Sequence, residues 1–230
     1  MCGRYITPDE RALEDFYFLG RKNWRSPFEG VNYNTPPTTQ IPLIYRAPDG
    51  VIELAGMRWG LIPFFAKGVP PKVPMHIARW DRLKTAPSYR GPWKRGQRCI
   101  FPMHGFYEWR LMPDGKTKQP YYITIGDQAT FGVAGIWEAS VAADGTTVHS
   151  AALITIDANL VMQRYSSDKR MPAILRREAL DAWLTGSPEE AQRCIVPYDD
   201  ELMIAWPVSK AVGNSRNRSK ECIEPVQVEE

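Results

Sequence analysis

The chain has 230 residues, of which 43% are hydrophobic and 24% are charged, so a disordered or fibrous chain is excluded. The 29 basic and 26 acidic side chains leave a formal net charge of only +3. A nucleic acid could therefore be bound only through a local patch of Arg and Lys. The 20 prolines are too many for a helical bundle and predict a chain rich in strands and turns.

The ends of the chain and its cysteines bear on location and cofactors. Charged side chains interrupt the first 25 residues, so neither a signal peptide nor a membrane segment is predicted. The four cysteines form no Cys-x-x-Cys pair, and with three histidines they show no metal-ligand spacing. We expect a cytoplasmic protein with reduced thiols, without a metal or other cofactor.

The elements predicted in chain order begin with a helix. Thr7, Pro8 and Glu10 match the N-cap, N1 and N3 positions of a capping box, which predicts a helix to about Leu19. Asp-Gly pairs at 49–50, 114–115 and 144–145 predict three hairpins. The predicted strands are 41–46, 51–58, 98–102, 106–111, 121–125, 130–138, 147–156 and 202–206.

Helices are predicted again near the carboxyl end. Residues 177–184 are amphipathic and are followed by Gly186, while Ser187 and Glu190 repeat the capping-box pattern. Together these elements predict one α+β domain over residues 1–230, with a mostly antiparallel, barrel-like sheet and peripheral helices. Residues 214–230 are predicted to form a surface tail.

Residues 79–98 concentrate positive charge. This segment has seven Arg or Lys side chains, a single acid at Asp81, and the aromatic rings of Trp80, Tyr89 and Trp93. Such a mixture suits a nucleic-acid strand, with cations on phosphates and rings on bases. A solvated loop with snorkelling side chains has the same composition, so both interpretations stay open.

Cys2 is the chemically distinctive cysteine, because removal of Met1 would place a thiol and an α-amine on one residue. An α-amine has a pKa of about 7.7–8.0, against about 10.4 for Lys, so a sizeable neutral fraction is ready to attack a carbonyl. The alternative is a cysteine without a role at a frayed terminus.

Several segments in order resemble one family, the SOS-response-associated peptidase (SRAP) or abasic-site processing family. They are Met1-Cys2-Gly3-Arg4-Tyr5, Tyr33-Asn34-Thr35-Pro36-Pro37-Thr38, Met57-Arg58-Trp59-Gly60-Leu61-Ile62-Pro63, Ile77-Ala78-Arg79, Arg98-Cys99-Ile100-Phe101-Pro102, Gly105-Phe106-Tyr107-Glu108-Trp109, Arg170-Met171-Pro172 and Pro207-Val208-Ser209. The resemblance covers nearly the whole chain and implies an SRAP-like fold.

What this resemblance implies is a protein of the DNA-damage (SOS) response that binds single-stranded DNA at abasic sites. The freed Cys2 would form a thiazolidine with the aldehyde of the opened sugar, and Glu108 would move protons. Peptidase and lyase-like activities are also implied, as is association with the nucleoid when the protein is bound to DNA. The residues implied to contact DNA are Arg4, Asn34, Arg58, Trp59, Arg79, Trp109 and Arg170.

Two positions depart from the family pattern. Ile77 stands where relatives have Asn, and the neighbouring His76 is a candidate substitute, although alternation along a strand would point it to the opposite face. Asp168 stands where relatives have His and cannot readily donate a proton at pH 7. We expect weaker or altered crosslinking.

Two other functions remain open from the sequence. An N-terminal-nucleophile amidohydrolase or glutaminase would use the Cys2 thiol on an amide with the α-amine as base. A single-strand binder that has lost its chemistry would account for Ile77 and Asp168. Protein partners are not indicated by any motif.

Overall fold

Fourteen strands and five α-helices are present in the computed structural model, which describes residues 2–27, 30–126 and 128–228. The strands are β1 (Tyr5–Thr7), β2 (Arg21–Asn23), β3 (Asn32–Thr35), β4 (Gln40–Arg46), β5 (Ile52–Trp59), β6 (Ile77–Arg79), β7 (Arg98–Met103), β8 (Gly105–Leu111), β9 (Lys118–Ile125), β10 (Phe131–Val141), β11 (Thr147–Asp157), β12 (Arg170–Pro172), β13 (Ile174–Leu175) and β14 (Met203–Pro207). The α-helices are α1 (Glu10–Phe16), α2 (Pro87–Lys94), α3 (Met162–Tyr165), α4 (Leu180–Thr185) and α5 (Pro188–Arg193), and short 3-10 turns lie between them.

A closed ring of five strands forms the centre of the fold. β11, β10, β7, β4 and β5 pair successively and antiparallel, and β5 then pairs in parallel with β11 through Arg58–Ser150 and Trp59–Ala151. A second, antiparallel sheet has the order β14-β9-β8-β1-β3. The predicted α+β domain with a barrel-like sheet is confirmed, and the barrel is mixed because of the one parallel closure.

The longer predicted elements are confirmed. The three Asp-Gly turns join β4 to β5, β8 to β9 and β10 to β11, and all eight predicted strands are present. The Ser187 capping box is complete, with its side chain accepting from Glu190 N and the Glu190 carboxylate accepting from Ser187 N. Hydrophobic alternation and turn chemistry are sufficient for these elements, since both are local.

The predicted start of the first helix is wrong by two residues. Thr7 ends β1, where its hydroxyl lies 2.6 Å from that of Thr35, and Asp9 is the N-cap, accepting from Ala12 N. The helix ends at Phe16, not at about Leu19. The pairing of β1 with β3 therefore places Thr7 in a strand, although the capping-box pattern predicted it as the N-cap of the helix.

The carboxyl-terminal segment is packed against the second sheet. Trp206 Nε1 donates to Ile223 O, Val226 N donates to Pro207 O, and the Cys222 side chain is buried. Within the segment predicted as a surface tail, most of the described residues 214–228 are exposed, and the segment is held to the second sheet at these few points. This segment has few apolar residues, so its docking depends mainly on hydrogen bonds that no local pattern reveals.

Candidate active site

The pairing of β1 with β8 brings the segment that carries Cys2 to the strand of Glu108, and the charge of Glu108 acts on the Cys2 thiol. Tyr5 lies opposite Phe106, and Tyr107 N donates to Arg4 O at 3.0 Å, so the same register brings Gly3 level with Glu108. Cys2 and Glu108 are each only 1% exposed. Met1, whose removal the crosslinking hypothesis requires, lies outside the described residues.

The electrostatics of this pair differ from those of exposed groups. Burial raises the pKa of Glu108 from its ordinary 4.5 to about 7. Burial, and then the charge of Glu108, raise the pKa of the Cys2 thiol well above its usual range. Near neutral pH the carboxyl is therefore divided between its acid and base forms, while the thiol keeps its proton.

Trp59 supports the site from inside the core. Its ring is 0% exposed, meets the Tyr5 ring edge-on at 5.1 Å and the His76 ring at 5.8 Å, and donates through Nε1 to His76 O. A ring without exposed surface offers no face to a base in this structure, so Trp59 acts here as a core residue. Trp109 is only partly buried and packs against the small cluster around Tyr107.

Ile77 is the first residue of β6, and His76 directly precedes it. Ile77 pairs with Leu153 of β11 in parallel and is half-buried, with its carbonyl accepting from the Tyr89 hydroxyl at 3.0 Å. His76 Nδ1 lies 3.1 Å from Pro74 O, and burial lowers the pKa of this imidazole. His76 is therefore neutral at pH 7 and packs on Trp59.

Asp168 occupies an exposed turn before β12. Partial burial would raise the pKa of its carboxyl, but the hydrogen bond from Ser166 Oγ at 2.6 Å helps to bring the net shift below the ordinary value. The negative charge of Asp168 raises the pKa of Glu108 further. Asp168 thus lies within electrostatic reach of Glu108 as a fixed negative charge.

Two of the expected phosphate-binding arginines are already paired with acids. Arg79 forms two hydrogen bonds with Asp81, at 3.1 and 3.0 Å. Arg170, whose side chain is 11% exposed, bonds to Asp157 at 2.8 Å and lies 3.5 Å from Asp81. A phosphate would have to compete with these carboxylates for both guanidinium groups.

Arg4 and Asn34 bind the carboxyl-terminal segment. Asn34 Nδ2 lies within 2.8–3.0 Å of three backbone carbonyl oxygens, those of Val212, Asn214 and Asn217. Arg4 donates to Asn34 Oδ1 and to the carbonyls of Val212 and Gly213. Both side chains therefore use much of their hydrogen-bonding capacity within the protein.

The remaining candidates from the sequence also make contacts within the protein. Arg58 donates to Thr38 O at 2.8 Å beside the barrel closure. In the segment 79–98, helix α2 turns Tyr89 and Trp93 into the core. The expected base stacking from these two rings is thus unavailable, and the snorkelling interpretation fits better.

Across the described ranges, no cluster of three or more His, Cys, Asp or Glu side chains is arranged to hold a metal ion. In the same part of the chain, no helix is long and apolar enough to cross a membrane.

The chain belongs to the SOS response associated peptidase (SRAP) family, whose model matches residues 1–215. It is 36% identical to the abasic site processing protein YoqW of Bacillus subtilis strain 168, over 97% of this chain and 99% of that protein. It is 29% identical to the abasic site processing protein HMCES of Rattus norvegicus, over 99% of this chain and 77% of that one. A crystal structure of a Bacteroides thetaiotaomicron protein superposes with a TM-score of 0.76 and 29% identity, covering 85% of this chain and 86% of the other.

Sequence reasoning missed the acids that pair with the arginines. No sequence pattern marks Asp157, and Asp81 stands out only as the single acid in a basic segment. Asp157 ends β11 opposite Arg170, and Asp81 follows β6. The signal available in the sequence is the spacing Arg79-x-Asp81, which is short enough for a local ion pair.

Proposed function

We propose that this chain processes abasic sites in single-stranded DNA through a covalent link to Cys2. The observation that carries the proposal is that Cys2 lies within electrostatic reach of a buried carboxyl, Glu108, whose pKa lies at about 7. Relatives that match almost the whole chain are named abasic site processing proteins, which supports the same substrate.

The chemistry begins after Met1 is removed. The α-amine of Cys2 adds to the aldehyde carbon of the opened sugar, and the resulting carbinolamine loses water to give an imine. The thiol sulfur then bonds to the imine carbon, and its proton ends on the ring nitrogen, so a thiazolidine forms with the net release of one water. A cysteine inside the chain could not close this ring, because its nitrogen is an amide.

Glu108 is suited to the proton transfers in both steps. In its acid form it donates to the departing hydroxyl of the carbinolamine, and as a carboxylate it accepts the proton of the Cys2 thiol. A carboxyl with a pKa of about 7 populates both forms at neutral pH. The high pKa of the thiol makes such a proton acceptor necessary, since the thiolate is the better nucleophile.

The test is intact mass spectrometry of the purified protein before and after incubation with a single strand containing one abasic site. We expect the native chain to lack Met1 and to gain the mass of the strand less one water. Cys2→Ser should bind the strand and give no thiazolidine adduct. A native chain that keeps Met1, or that gives the same adduct as Cys2→Ser, would contradict the proposal.

A further inference from the structure

A cleft of about 660 Å³ opens near the end of β5 that is far from Trp59. Its walls are the β4–β5 turn, the segment that joins α2 to β7, Trp137 of β10, and the turn between α4 and α5. The seven residue steps of β5 from Ile52 to Trp59 span about 23 Å, so the cleft is separate from the surroundings of Cys2. Its volume is that of a small-molecule site.

Positive charge predominates in the walls of this cleft. Four basic side chains and one acid line it, namely Arg46, Lys94, Arg95, Arg98 and Asp49. Asp49 is held by Arg21 at 2.8 Å, and Arg95 is held by Glu138. Arg46 and Lys94 are exposed and form no ion pair with any described residue. Both cations are therefore free to contact an anionic ligand.

Arg98 is the buried cation of the cleft and is only 4% exposed. Its Nε and Nη2 donate to the carbonyl oxygens of Trp183 and Gly186 at the carboxyl end of α4. Its guanidinium lies 6.0 Å from the Trp93 ring and 5.9 Å from the Trp183 ring. Among the described residues it has no acidic partner, although a fully buried arginine is ordinarily paired. Carbonyls and rings thus stabilise this charge only in part.

Two donors in the cleft lack an acceptor within the described part of the chain. Arg98 Nη1 makes no hydrogen bond there, and it lies 3.7 Å from the position that a Cβ on Gly96 would occupy. The missing side chain of Gly96 therefore leaves this nitrogen uncovered. Trp137 is 6% exposed, and its indole Nε1–H is buried without an acceptor. A buried donor without a partner is costly, so each one indicates a ligand that supplies the acceptor.

Arg46 lies close enough to Arg98 for the two charges to interact. Burial lowers the pKa of Arg98, and the positive charge of Arg46 acts in the same direction. The Arg46 side chain extends over the β4–β5 turn, with Nη2 3.5 Å from where a Cβ on Gly50 would lie. An anion that contacts both guanidinium groups would replace their repulsion by attraction.

The number of cations and donors favours a phosphate over a carboxylate. A phosphate monoester has three acceptor oxygens and about two negative charges at neutral pH, whereas a carboxylate has two oxygens and one charge. Arginine is well suited to phosphate because its planar fork of N–H groups matches the oxygens. Because Arg98 is 4% exposed, the phosphate must stand at the end of its ligand. A phosphodiester inside a strand has a sugar on each side and could not enter as far.

We infer that this cleft binds a terminal phosphate group, held by Arg98 and Arg46 and by the indole N–H of Trp137. The phosphate belongs to a free nucleotide or to the end of a strand, which present the same chemistry. The site is additional to the one at Cys2 and does not depend on the proposed function.

The test is isothermal titration calorimetry of the native full chain with sodium phosphate at constant ionic strength. We expect saturation at one phosphate per chain, and roughly tenfold weaker binding of sodium acetate, since acetate has a single charge. Adenosine 5′-monophosphate is then compared with adenosine, and a single strand with a 5′-phosphate is compared with the same strand without it. A gain from the phosphate in the first pair identifies a free nucleotide as the ligand, and a gain in the second pair identifies a strand end.

Two variants locate the binding. Trp137→Phe keeps an aromatic ring and removes the N–H, so it should weaken phosphate binding by about fivefold. Arg46→Gln removes a charged donor and should weaken it by about tenfold or more. The matched control is Arg164→Gln, since Arg164 of α3 is exposed and its replacement changes the net charge equally. It should bind phosphate with native affinity, and thermal unfolding checks that each variant is folded.

Several outcomes would overturn the inference. Equal losses of affinity in Arg164→Gln and Arg46→Gln would show a general effect of net charge. Native affinity in Trp137→Phe would remove the indole N–H from the site. Phosphate binding that does not saturate, or acetate binding as tight as that of phosphate, would show that the cleft does not select a phosphate group.

Discussion

Glu108→Gln should make the protein more stable at high pH while it slows the chemistry. Burial raises the pKa of Glu108 from 4.5 to about 7, so between these values the unfolded chain has lost a proton that the folded chain keeps. Stability therefore falls as pH rises through this window. The difference between the two pKa values, at 1.36 kcal/mol per pH unit, amounts to roughly 3 kcal/mol lost by pH 8. Glutamine stays neutral and avoids the loss.

The assay is urea unfolding of the native chain and of Glu108→Gln at pH 4 and pH 8. The stability of the variant relative to the native chain should rise by roughly 3 kcal/mol between these two pH values. Titrating groups that do not interact with Glu108 cancel in this difference. Adduct formation should slow by about a hundredfold or more, as expected for the loss of a general acid and base.

Glu138→Gln is the control for this experiment. Glu138 is buried like Glu108, but its carboxylate accepts two hydrogen bonds from Arg95, at 2.9 and 2.8 Å. Replacing it should destabilise the protein at pH 8, since the Arg95 guanidinium, whose side chain is 49% exposed, loses its carboxylate partner. A Glu108→Gln variant whose relative stability does not change with pH would refute the raised pKa and the proton-transfer role built on it.

Three further predictions concern the surroundings of the site. Asn34→Ala should lower stability by about 1–3 kcal/mol in urea unfolding, because backbone carbonyls of the carboxyl-terminal segment lose their donor; a loss below about 0.5 kcal/mol would contradict this role. Asp81→Asn should strengthen binding of an undamaged single strand and steepen its salt dependence, since Arg79 and Arg170 lose a competing carboxylate; unchanged anisotropy titrations would contradict this. The double variant Ile77→Asn, Asp168→His should raise adduct yield on an abasic strand, because it restores an amide and a titratable imidazole; equal yields would refute it.

The long hairpins show what local sequence determines. Each Asp-Gly pair supplies the backbone conformation of a tight turn, and the flanking strands alternate apolar and polar residues. These two signals act within about ten residues, so they place β4–β5, β8–β9 and β10–β11 without knowledge of the rest of the chain. The motifs around Cys2 and Glu108 likewise identify the family through residue identity and spacing alone.

The short strands show what only the tertiary structure decides. β1, β6 and β12 have three residues each, too few for a periodic pattern, and they exist because longer strands offer them partners. The same long-range pairing brings Gly3 level with Glu108 and turns Thr7 away from the helix it was predicted to cap. It also commits Arg4 and Asn34 to the carboxyl-terminal segment. The sequence determined which residues have side chains suited to nucleophilic attack, proton transfer or phosphate binding. Burial and pairing across the sheets decided the pKa of Glu108 and determined which arginines already have acidic partners. Both properties depend on neighbours that are distant in the sequence, so only the tertiary structure could decide them.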